Sequence, residues 1–200
     1  MKKTILFLMS LFLLCSCNSC KNEKEITPAK PTSVENIIAM DKTAMNLISK
    51  DYRWYETMIL LDNYLDEDSV SKIAEIVNVF QVVKNITEKS FDTKVYKFQH
   101  FADGTCLKDS VDGFWIEDCP LIDSVKMITY EEAFNKMLEV NYPKPHSRHV
   151  CLRSPVGPRD CNPQWVFGNI ESQIWIDAVT GEAKNSNPAF PDEFKYAFTW

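Results

Sequence analysis

Histidine, arginine and cysteine carry the side chains whose spacing in this chain could do chemistry. His146 and His149, with Cys151 two residues further on, make an H-x-x-H pair that could sit on a metal. The pair follows Pro143 and Pro145, so no helix sets its spacing, and zinc sites take a third or fourth ligand at a recognisable interval. A solvated basic loop is the simpler reading, and neither a metal nor a cofactor is expected. Cys151 and Cys161 bracket Leu-Arg-Ser-Pro-Val-Gly-Pro-Arg-Asp, whose prolines and glycine oppose regular pairing but which a disulfide can close. Such a loop would hold Arg153 and Arg159 rigid and exposed, suited to an acidic groove or the specificity pocket of a protease, because rigid loops bind at low entropy cost. A stapled surface loop without a partner is the plainer alternative. No G-x-S-x-G or H-E-x-x-H occurs, and five glycines leave few places for a phosphate-cradling loop. Nothing holds a base beside the Cys20 thiol. The residues therefore describe a non-enzyme.

Cys106 and Cys119 flank Asp112-Gly113, the favoured central pair of a type I′ hairpin turn. Folding about that pair sets Val111 opposite Phe114 and, counting outward, Cys106 opposite Cys119. The two cysteines then occupy a non-hydrogen-bonded pair, where Cα atoms lie about 4.5 Å apart, at the near edge of disulfide reach. Lys108 faces Glu117 in the same register, a favourable cross-strand pair. A Cys106–Cys119 bridge is expected, and a Cys151–Cys161 bridge beside it. Buried free thiols are the alternative for all four.

The first residues determine where this chemistry would take place. Met1-Lys2-Lys3 supplies a positive start, and Ile5 to Leu14 is an apolar run of signal-peptide length, too short to span a bilayer. The run ends in Leu14-Cys15-Ser16-Cys17, which resembles the lipobox of bacterial lipoproteins: a leucine three residues before the cleavage point, a small residue, then the cysteine to be acylated. The resemblance implies cleavage before Cys17 and lipid on that cysteine. Two acyl chains make a stable membrane anchor where one is marginal. Residues 18–33 carry Lys21, Glu23, Lys24, Glu25 and prolines 28 and 31 without apolar periodicity, and read as a flexible tether. The body would then lie outside the cytoplasm in the cell envelope, at the outer membrane or cell surface, where disulfides persist.

Hydrophobic residues at 45%, aromatics at 12% and about 170 residues after the tether allow one ordinary domain or two small ones. A net charge of -6 argues against a nucleic-acid partner, which would want a basic face. Ser33 as N-cap, followed by Val34, Ile37, Ile38, Met45 and Ile48, predicts a helix ending near Lys50. Trp54 to Leu61 reads as a strand before the polar turn of Asp66-Glu67-Asp68, and Ile73 to Val83 and Val95 to Phe101 as further strands. Thr129 with Glu132 makes a capping box ahead of a second helix, stopped by Pro143 and Pro145. Gln164 to Phe167 and Gln173 to Asp177 read as a hairpin turned at Gly168-Asn169. Phe194, Tyr196, Phe198 and Trp200 alternate like a closing strand with one aromatic face. Helices set among antiparallel strands make the fold α+β, a helix packed on an antiparallel sheet.

The helix Ile128 to Val140, the Trp165-Val166-Phe167 strand and the run Ile174-Trp175-Ile176-Asp177-Ala178-Val179-Thr180-Gly181-Glu182 together resemble a PepSY-type domain. In that ending Asp177 and Thr180 can accept backbone N–H groups, and Gly181 can take a positive φ. The cysteine-flanked, proline-rich segment between helix and strand departs from the family pattern. The chain divides accordingly into a signal peptide (1–16), a lipidated tether (17–33), an N-terminal α+β unit (34–122) and a PepSY-like C-terminal unit (123–200), with two tandem cystatin-like or PepSY-like units as one form the fold can take. The resemblance implies a non-enzymatic, binding or regulatory role, towards a peptidase. An inhibitor or immunity-type protein acting through the 151–161 loop, and a small metal-binding envelope protein or enzyme, are the alternatives.

Overall fold

Ser33 starts the first helix of the computed structural model as its position implies, its hydroxyl accepting the Asn36 N–H at 3.2 Å. Helix α1 (Val34–Ile48) turns Val34, Ile37, Ile38, Asp41 and Met45 inward. The structure describes residues 33–67, 71–87, 90–115, 122, 126–155 and 162–185. Four strands follow α1: β1 (Tyr52–Leu61), β2 (Ile73–Thr87), β3 (Ser90–Phe101) and β4 (Cys106–Asp112). A second helix, α2 (Tyr130–Glu139), precedes β5 (His149–Arg153), β6 (Gln164–Gly168), β7 (Gln173–Asp177) and β8 (Ala183–Asn185). Thr129 and Glu132 form the reciprocal capping box at the start of α2.

All eight strands join one antiparallel sheet in the order β4-β3-β2-β1-β5-β6-β7-β8. The two halves, each a helix followed by four strands, meet where β1 pairs with β5, from Glu56 opposite Arg153 to Leu60 opposite His149. Both helices lie on one face, α1 on β1 and β2, α2 on β6 and β7. The main core fills the space beneath them, with Trp54, Phe80, Met137, Trp165, Phe167 and Ile176 at most 2% exposed. A register shift at Tyr55 lets Trp54 and then Ile59 and Leu61 face the same core, so the alternation of β1 is broken in the sequence but intact in space. Cys151, Val166 and Trp175 form a smaller cluster on the other face.

Two expectations are corrected. His149–Arg153, read as the start of an irregular loop, is a central strand hydrogen-bonded to β1 and β6. A strand buried on both faces shows no alternation in its sequence, and here the prolines act only after Arg153. The type I′ turn at Asp112-Gly113 does not form, because Asp112 does not take the positive φ it requires. β4 instead returns along β3 through a turn at residues 102–105, with Gly104 at φ 91°, and seven residue pairs join the two strands. Cys106 therefore faces His100 and Lys108 faces Phe98, its ammonium 5.7 Å from the Tyr96 and Phe98 ring centres. Beyond Gly113 the chain crosses the sheet: Trp115 lies beneath Lys97 of β3 and its indole N–H donates to Glu56 Oε2 of β1 at 2.9 Å. Cys106 is a free thiol. Cys17, Cys20, Cys119, Cys161, Arg159, Glu117 and the aromatic run 194–200 lie outside the described residues.

Candidate functional site

The apolar stripe of α1 contains one carboxylate, Asp41, 3% exposed. Burying a charge is costly unless it is paired and hydrogen-bonded, and the sheet supplies what Asp41 needs. Asn78 of β2 donates its Nδ2 N–H to Asp41 Oδ2 at 2.7 Å, and both carboxylate oxygens lie 2.9 Å from Nε2 of His100 on β3. Thr57 of β1 in turn donates to Asn78 Oδ1. Two oxygens on one ring nitrogen assign the proton to Nε2, because an unprotonated Nε2 would face the carboxylate with its lone pair.

Cys106, across from His100 on edge strand β4, places its Sγ 3.8 Å from the same Nε2. Cysteine, histidine and aspartate are thus together, but not as a nucleophile and its base. The ring nitrogen nearest sulfur already gives its proton to Asp41 and has no lone pair for a thiol proton. Burial, with the Asp41 charge beside it, pushes the Cys106 thiol up, the reverse of what an attacking thiolate requires. The set instead forms the polar wall of a cavity.

That cavity, about 760 Å³, opens between α1 and the β2–β4 end of the sheet, with Ile37, Met40, Ile76, Phe98 and Phe101 among its apolar lining. A second, about 1000 Å³, lies between the start of α1, the loop after β1 and α2, with Tyr130, Phe134 and Leu138 in its wall. Ser33, Val34, Ile73 and Tyr130 border both, so the two form one groove that passes the start of α1. The groove is held by local geometry. Glu35 of α1 accepts the Tyr130 N–H at 2.7 Å and ties the two helix starts together. Burial pushes the Tyr130 phenol well above its usual range, so it stays neutral. Lys144 folds back to donate to the carbonyls of Met137 and Val140 at the end of α2, and burial lowers its ammonium pKa.

Of the site residues expected from sequence, Arg153 is corrected outright. It is 4% exposed on the sheet face away from the helices, with its Nη1 3.6 Å from Glu56 Oε1, so it is not presented to a partner. Burial raises the Glu56 carboxyl, while the Arg153 charge and the Trp115 hydrogen bond pull it back. Cys151 is buried beside Val166 and Trp175. His146 stacks on Tyr64 at 4.1 Å and its Nδ1 lies 3.0 Å from Asp66, whereas His149 sits on β5 opposite Leu60. Among the described residues no three histidine, cysteine or acidic side chains are grouped to hold a metal. The Asp177 turn has the bonds its sequence suggests: Asp177 Oδ1 accepts from Val179 and Thr180, Thr180 Oγ1 accepts from Glu182, and Gly181 has φ 74°. Burial opposes ionisation of Asp177, but these bonds outweigh it and lower its pKa.

Asp41, His100 and Asn78 had not been singled out. The available signal was a carboxylate on the apolar stripe of a helix, at the position between Ile38 and Met45 where a core residue belongs. No family model, curated protein or solved structure matches the chain.

Proposed function

We propose that this protein is an exported lipoprotein of the bacterial cell envelope, anchored through lipid on Cys17, with a binding rather than a catalytic role. The groove between α1 and α2 carries the binding part of this reading: it is bordered by apolar side chains and ends on a satisfied Asp41–His100 network whose neighbouring thiol is held in its neutral form. Pockets of a few hundred to about 1000 Å³ with few convergent polar groups are typical of ligand sites. The positively charged start, short apolar run and Leu14-Cys15-Ser16-Cys17 ending support the anchor, and no helix among the described residues is long and apolar enough to cross a membrane. The PepSY resemblance of residues 123–200 makes a peptidase the partner class to test. With Arg153 buried, the inhibitor reading through the 151–161 loop loses one of its two arginines.

The anchor is tested by growing a bacterial host with an alkyne-bearing palmitate analogue and comparing the full chain with Cys17→Ser. The parent protein should take up label and remain in the membrane fraction, and Cys17→Ser should do neither. Equal labelling of the two would refute lipidation at Cys17.

A further inference from the structure

The charge around the groove is one-sided. Glu35 and Glu131 stand at the first turns of α1 and α2, where they offset the positive helix ends. Lys144 spends its ammonium on the last carbonyls of α2. Along the lining Asp41, Asp62, Asp66 and Glu67 stand against Lys72, with Asp41 held by His100 and Asp66 beside His146. Between these carboxylates the surface is aliphatic and aromatic, and at the inner end stands His100, 8% exposed, which gives its Nε2 proton to Asp41.

We propose that the groove binds an extended peptide segment of another protein in which lysine or arginine alternates with apolar residues. This rests on the binding role given above and adds the chemistry of the ligand. The basic side chains meet Asp62, Asp66 and Glu67, and the apolar ones fill the space against Phe98 and Phe134. A small molecule would fill one cavity of about 760 or 1000 Å³, and only an extended chain fills both. The net charge of -6 favours encounter with a cationic partner.

The test uses the full chain in a non-ionic detergent with a fluorescent octapeptide of alternating leucine and lysine, followed by anisotropy. It should bind at least tenfold more tightly than the leucine–glutamate octapeptide. Asp66→Lys with Glu67→Lys, both exposed positions, should weaken it at least tenfold, while Glu171→Lys on the β6–β7 turn should change affinity less than twofold. In the unaltered protein, saturating peptide should slow alkylation of Cys106 by N-ethylmaleimide several-fold, read by mass-spectrometric peptide mapping, because that thiol lines the groove. Equal affinity for the two peptides, no loss on charge reversal, or an unprotected Cys106 would overturn the proposal. If a leucine–serine octapeptide protects Cys106 and the basic one does not, the groove remains a binding site and only its cationic preference falls. If no peptide protects Cys106, the groove reading falls too, and lipidation at Cys17 stands or falls on its own label.

Discussion

Replacing Arg153 with methionine removes the charge beside Glu56 while keeping most of the buried volume. Glu56 is 2% exposed and Arg153 4%, and their closest approach of 3.6 Å is longer than the 2.7–2.9 Å of a charge-assisted hydrogen bond. The attraction is therefore mainly Coulombic, and Glu56 Oε1 makes no hydrogen bond of its own. Removing one partner of a buried pair costs about 3–5 kcal/mol, and the long separation places this case near 3 kcal/mol at pH 8. At roughly 2–4 °C per kcal/mol for a body of this size, Tm should fall by about 6–12 °C.

The pH dependence follows from Glu56. Burial raises its pKa above the ordinary 4.5, and losing Arg153, which pulls it down, raises it further. An acid with a raised folded-state pKa holds its proton more tightly folded than unfolded. Its contribution is complete below the unfolded value and is lost as pH rises through the folded one. The deficit of Arg153→Met should accordingly be largest at pH 8 and shrink towards pH 5, and Glu56→Gln in the same chain should recover most of it, since an amide needs no counter-charge. Urea unfolding followed by tryptophan emission at pH 5, 6.5 and 8 measures all three. A deficit below about 1 kcal/mol at pH 8, or one equal at pH 5 and 8, would refute the idea that Arg153 compensates a buried Glu56.

Three further substitutions probe the elements that position the groove and the two halves of the sheet. Asp41→Ala leaves the His100 Nε2 proton and an Asn78 Nδ2 proton buried without an acceptor, each worth about 1–3 kcal/mol, so stability should drop by roughly 2–6 kcal/mol in urea unfolding; a loss below 1 kcal/mol would mean the network reorganises freely. Gly168→Ala places a Cβ against the Ser172 carbonyl oxygen at φ 124° and near Pro145, and should cost more than about 2 kcal/mol. Gly113→Ala, with φ 129° but open space around it, should cost less, and calorimetric melts showing equal costs would remove the steric argument.

Local chemistry made much of the fold legible. Ser33 and the Thr129/Glu132 pair mark helix starts with groups that satisfy specific backbone N–H donors, and both caps are formed. The Asp177–Gly181 turn is likewise local, since its acceptors and its positive φ lie within five residues. The type I′ turn expected at Asp112-Gly113 failed because its argument was local too. A two-residue turn preference is weak beside a seven-pair ladder that β3 already offers to β4, and Gly113 uses its freedom to carry the chain across the sheet. Arg153 was misread for the opposite reason: a basic residue beside prolines looks exposed until β1 brings Glu56 against it.

The sequence by itself determined the α+β class and the main helix starts, because each depends on periodicity or on contacts a few residues apart. The candidate site was decided by tertiary structure. Asp41 meets Asn78 and His100 across 37 and 59 residues, and Glu56 meets Trp115 across 59. Such pairings follow from which strands lie side by side and which face each turns inward. No local propensity encodes strand order, so a polar residue on an apolar stripe shows that a partner is needed without showing which residue it is.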